Sequence, residues 1–181
     1  MASDQEIVKQ TRNWIERVII GENFCPFAAF PFRKASIRYW ILKGIEIEDH
    51  LEILVRELEH LTQHEEIETS VLIFPKALSE FEAYLDFLDL ANSLLLEQGY
   101  EGIFQIASFH PNYQFAGTEY EDAANFTNRS PYPLLHLLRE ESVSRAIEAH
   151  SHTEEIPNRN IEHARKLGAS HFENILKEIK A

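Results

Sequence analysis

The sequence predicts an α/β fold: a small three-stranded, mainly parallel sheet in βαβαβ order, covered by helices, with an N-terminal helix ahead of it and a helical C-terminal part behind. Two observations carry this reading. Three short runs rich in apolar, β-branched and aromatic residues, at 36–43, 69–75 and 103–109, each stop at or beside a glycine or proline. The stretches between them, 47–63 and 79–98, place their apolar residues at helical spacing. Parallel neighbours need a connection long enough to carry the chain back, and a helix of that length supplies it.

Taken in order, Ser3 stands three residues before Glu6, the spacing of a capping box, and Ile7, Trp14, Ile15, Val18 and Ile19 then recur near one face. This predicts a helix over 4–20. Between Gly21 and Ala35 lie two prolines, four phenylalanines and Cys25, a stretch too apolar for a solvated linker and too broken by proline for regular structure, so an ordered loop is expected. SIRYWILK (36–43) reads as the first strand, and Leu51, Leu54, Val55, Leu58 and Leu61 mark the helix after it. TSVLIFP (69–75) is the second strand, followed by a helix carrying Phe81, Tyr84, Leu85, Leu88, Ala91 and Leu95. IFQIASF (103–109) is the third, and it ends at His110 and Pro111. Residues 110–133 lose all periodicity, and so long a connection often carries function. Helical spacing returns over 133–149, where Pro133 suits a first turn, and again over 157–167 and 171–180. Gly168 divides the last two, and Ser170 with Glu173 repeats the capping-box spacing.

The 181 residues, 44% hydrophobic, suffice for one core, so a single α/β domain over 1–181 is expected. A formal net charge of −13 repels phosphate backbones and anionic headgroups, which argues against nucleic acid and membrane surfaces as partners. One cysteine forms no internal disulfide, the charged start MASDQEIVKQ lacks the features of a signal peptide, and no apolar run approaches a membrane span. A reducing cytoplasm is the expected location.

Ligands of open parallel sheets sit beyond the carboxyl ends of the strands, and only the third strand runs on into a long polar loop. That loop gathers His110, Tyr113, Asn125, Asn128, Arg129 and Ser130, with His136 and Arg139 just inside the expected helix. A helix start and two guanidinium groups suit an anion, so Tyr113, Asn125, Asn128, Arg129, Ser130 and Arg139 are the expected ligand-binding residues. His110 and His136 are the candidates for proton handling, because imidazole titrates near neutral pH. On a helix, His136 and Arg139 would share one face. Cys25 is a candidate nucleophile on condition that a histidine lies beside it to lower its pKa. The nine histidines show no HExxH, paired CxxC or EF-hand spacing, so no metal ligands are assigned, and a weaker set drawn from His110, His136, Cys25 and Asp122 would have to converge from distant segments. GxxxxGK[ST], GxGxxG and GxSxG are all missing, and no cofactor is indicated.

The motifs NFCPFA (23–28), SFHPNYQFAG (108–117) and NFTNRSPYPLLHLLRE (125–140), read together, resemble a bacterial family known as domain of unknown function 1415. The likeness extends over roughly residues 6–168. It implies a free-standing bacterial cytoplasmic protein and transfers neither a substrate nor a catalytic residue. Residue chemistry then leads to a protein that binds an anionic small molecule in the loop after the third strand, as a hydrolase or group-transfer enzyme. The alternatives are a non-catalytic binding or interaction module, in which the same loop is a structural brace, and a metal-binding protein.

Overall fold

The Glu6 amide donates to the Ser3 hydroxyl at 3.3 Å and the Ser3 amide to the Glu6 carboxylate at 2.9 Å, so the capping box forms and starts α1 (Asp4–Trp14). In the computed structural model, which describes residues 2–149 and 152–181, this helix continues as a π-helical segment, Ile15–Ile20. It ends at Gly21, where a Cβ would lie 2.4 Å from the Arg17 carbonyl oxygen. The proline-broken stretch that follows contains one short helix, α2 (Ala29–Arg33). Then come β1 (Ile37–Ile41), α3 (Ile47–Gln63), β2 (Thr69–Ile73), α4 (Phe81–Glu97) and β3 (Phe104–Phe109), in the order the sequence predicts.

The expected helix over 133–149 is replaced in its first half by a fourth strand, β4 (Leu134–Arg139), and only α5 (Glu140–Ala149) is helical. The sheet is therefore four-stranded and mixed, ordered β1-β2-β4-β3. β1 and β2 pair in parallel, and β4 runs antiparallel to both β2 and β3. The physical reason lies in where β4 sits. A strand between two neighbours and beneath helices on both faces is apolar on both sides, and such a continuous run cannot be told from a buried helix by periodicity. Residues 110–133, whose one helical piece is a short 3-10 turn at Ala123–Thr127, return the chain antiparallel.

Helices cover both faces. Leu72, Phe104, Leu135 and Leu137 pack on one side with Leu54, Leu58, Tyr84, Phe87 and Ala91 of α3 and α4. On the other side, Val71, Ile73 and Leu134 meet Ile7 and Trp14 of α1, Val18, and Ala164 and Phe172 from α6 (Ile156–Leu167) and α7 (Ala169–Lys180). The second expected capping box is absent: α7 starts at Ala169 after Gly168, whose φ of 82° only glycine adopts readily, and Ser170 lies inside the helix.

Candidate functional site

His110 is fully buried, with its ring 5.2 Å from that of Phe81 and 5.0 Å from that of Tyr84. Its Nδ1 accepts the Asn112 amide at 3.0 Å, so Nε2 carries the proton and donates to the Leu78 carbonyl at 2.9 Å. Burial lowers its pKa, and both nitrogens already have partners. His136 stands on the opposite face of the sheet, on β4 across from Val71 and Ala107. The Thr69 hydroxyl donates to the Leu137 carbonyl at 2.5 Å, so it accepts from His136 Nε2 at 2.7 Å. Burial pushes the His136 pKa down to about 4. The two imidazoles thus belong to different layers and form no pair.

Because β4 is a strand, His136 and Arg139, three residues apart, point to opposite faces, contrary to their expected shared helix face. Arg139 reaches the end of α3, where Nη2 donates to the carbonyls of Leu61 at 2.6 Å, Ile67 at 2.9 Å and His64 at 3.1 Å. Cys25 is half-buried against the α1 and α7 side, and burial pushes its thiol pKa up, only partly offset by the Phe27 and Ala28 amides. Among the described residues, neither His110 nor His136 is hydrogen-bonded to it. Asp122, the remaining member of the weaker metal set, is held by Arg165, whose Nη2 lies 2.7 Å away and Nε 3.1 Å away. Only His152, Glu154 and Glu155, all exposed, bring three potential metal-ligand atoms within 4.8 Å of one another among the described residues.

The loop itself is tied to its own backbone. Asn125, fully buried, accepts the Phe115 amide at 3.0 Å and the Thr118 hydroxyl at 2.9 Å, and donates to the carbonyls of Glu119 and Tyr120 at 2.8 and 3.2 Å. Asn128 donates to the Ser108 carbonyl at 3.0 Å, and Ser130 to the Tyr132 carbonyl at 2.5 Å. The Tyr113 hydroxyl is 3.4 Å from that of Ser108, and its carbonyl accepts Arg129 Nε at 3.0 Å.

Arg129 differs from these neighbours. It is only 5% exposed, and its guanidinium lies between the Tyr120 and Phe126 rings, 4.3 and 4.6 Å from their centroids. Nη2 donates to the Tyr120 carbonyl at 2.6 Å. No carboxylate pairs with it among the described residues, and Nη1 has no hydrogen-bond partner yet is not sealed from solvent. Burial works against its charge, while Tyr120, Glu173 and Glu121 favour it. The guanidinium lines a groove of about 560 Å³, with Tyr120 and Phe126 on its own side and Glu173, Lys177 and Lys180 of α7 opposite. A desolvated guanidinium without a direct carboxylate contact among the described residues, at the wall of a groove that also holds Lys177 and Lys180, is a place where an anion is stabilised.

Sequence reasoning finds Arg129 but not Lys177 and Lys180. Their signal was two cations one helical turn apart in an acidic chain.

Fold and site together define a mixed α/β protein whose hairpin-like β3–β4 loop is braced from within and presents one buried, unpaired arginine to a groove. The chain belongs to the family described as protein of unknown function (DUF1415), which matches residues 6–174. No curated protein and no solved structure matches it. No helix among the described residues is long and apolar enough to cross a membrane.

Proposed function

We propose that the chain binds an anionic small molecule in the groove between the 110–133 loop and α7, in the bacterial cytoplasm. The observation that carries this reading is Arg129, 5% exposed, without a direct carboxylate contact among the described residues, and lining a groove with Glu173, Lys177 and Lys180. Glu173 and Glu121 favour the charge without a direct contact, and a bound anion supplies the direct partner. The internal bonding of Asn125, Asn128 and Ser130 makes the loop a brace that holds Arg129 in place, which joins the binding and brace readings of the sequence.

Recognition is favoured over hydrolysis or group transfer because His110 and His136 occupy different layers and, among the described residues, no histidine is hydrogen-bonded to Cys25. The net charge of −13 supports a small anion over nucleic acid or an anionic membrane as partner.

The test is a thermal-shift screen of the full chain against carboxylates and phosphates, repeated with Arg129→Gln and with Lys177→Gln combined with Lys180→Gln. A ligand at one hundred times its Kd stabilises by about 2.7 kcal/mol, which the screen resolves. The expected result is a saturable rise for at least one anion in the wild type, reduced in both variants. If no anion shifts the wild type, the proposal is overturned.

A further inference from the structure

We infer that the anion taken by this groove is a monocarboxylate with an apolar body, not a phosphate or polyphosphate; this rests on the reading of the groove given above. Arginine takes carboxylate and phosphate alike through the fork of parallel donors that guanidinium offers, so what surrounds the fork decides between them. Here Nε and one hydrogen of Nη2 are engaged inside the protein, donating to the Tyr113 and Tyr120 carbonyls at 3.0 and 2.6 Å. Of the five N–H donors, both on Nη1 and one on Nη2 remain, enough to hold the two oxygens of one carboxylate. The faces of the guanidinium are closed by Tyr120 and Phe126, so an approaching anion meets its edge.

The walls around that edge are apolar. Pro111, Pro131 and Leu176 join the two rings in lining a space of about 560 Å³, far more than an acetate or phosphate ion fills. Glu173 stands on the same groove and opposes any second negative charge near Arg129. Lys180 has its ammonium 5.4 Å from the Tyr132 ring centroid and is partly engaged there. One negative charge followed by a hydrocarbon or ring matches these features together.

The experiment is calorimetric titration of the full chain with acetate, hexanoate, inorganic phosphate and pyrophosphate. Each buried methylene is worth about fourfold in affinity, so hexanoate is expected to bind at least roughly tenfold more tightly than acetate even when only half its tail is covered. It is also expected to bind more tightly than either phosphate. Arg129→Gln should abolish hexanoate binding. Tyr120, 45% exposed, gives a variant that keeps the core, and Tyr120→Ala should weaken hexanoate by a larger factor than acetate. Glu173→Gln should help pyrophosphate more than hexanoate. Phosphate or pyrophosphate binding as tightly as hexanoate would overturn the inference and leave the anion reading standing. No binding of any of the four, or hexanoate binding indifferent to both Arg129→Gln and Tyr120→Ala, would overturn both.

Discussion

The indole Nε1 of Trp14 donates to the main-chain carbonyl of Arg129 at 2.9 Å, joining residues 115 positions apart. Trp14 is 2% exposed and stands edge-on to Phe109 at 5.1 Å, so one side chain ties α1 both to the end of β3 and to the loop that carries the groove arginine. The contact fixes the backbone of the residue whose side chain is proposed to meet the ligand.

Trp14→Phe removes the donor and leaves the Arg129 carbonyl buried without a partner. Such a loss costs about 1–3 kcal/mol. Urea unfolding should show a lower midpoint, and hexanoate should bind the folded variant more weakly because Arg129 is no longer fixed at its backbone. Unchanged stability would mean that the indole bond contributes nothing.

Acid stability should report His136. Its pKa lies near 4 in the folded protein against 6.5 for the free side chain, so between these values the unfolded chain binds the extra proton. Stability is then fully present above pH 6.5 and falls as the pH drops toward 4, by at most about 3 kcal/mol from this group at 1.36 kcal/mol per pKa unit. The lowered pKa of His110 acts in the same direction. His136→Gln keeps a donor for Thr69 and removes the titration, so its stability should change less between pH 7 and pH 4.5 than the wild type's. Parallel curves for the two proteins would rule the assignment out.

What the sequence makes legible is what is local. Ser3 and Glu6 announce α1 because a capping box closes within four residues, and β1, β2 and β3 declare themselves by short apolar runs with clear stops. β4 stays hidden because Leu134, Leu135, Leu137 and Leu138 satisfy helical spacing as well as a strand buried on both faces, and only the register with β2 and β3 separates the two. That one reversal also divides His136 from Arg139. Arg129 stands out as a candidate from its setting, whereas its lack of a direct carboxylate contact among the described residues and the groove it shares with Lys177 and Lys180 are tertiary facts.

An ion pair between buried Glu57 of α3 and half-buried Arg38 of β1 gives a further test. Glu57, fully buried, takes Arg38 Nε at 2.9 and 3.2 Å on its two oxygens and also accepts the Ser70 hydroxyl. Arg38 in turn lies 4.6 Å from the Trp40 ring centroid. Removing one partner of a buried pair strands the other charge, so Arg38→Met should destabilise by about 3 kcal/mol. Combining it with Glu57→Gln removes the stranded carboxylate and should restore part of that loss. A double variant as unstable as the sum of the two singles would show that the pair is not coupled.

Arg139 is the sharpest case for a structural role where the sequence suggests a ligand contact. Its guanidinium gathers three carbonyls, those of Leu61 and His64 at the end of α3 and of Ile67 in the turn after it, and lies 5.6 Å from the Phe104 ring centroid. The last carbonyls of a helix have no intrahelical donor and carry the negative end of its dipole, so a cation there both satisfies and neutralises them. These bonds hold the α3–β2 turn against the far end of β4. Charge-assisted bonds contribute about 1.5–3 kcal/mol, and Arg139→Met should cost at least the lower figure. Arg139→Lys keeps the charge but not the planar fork, so it should recover only part. Ligand affinity separates the two roles: with the groove at Arg129, hexanoate should bind folded Arg139→Met as it binds the wild type. Loss of binding in that variant without loss of stability would return Arg139 to the ligand site.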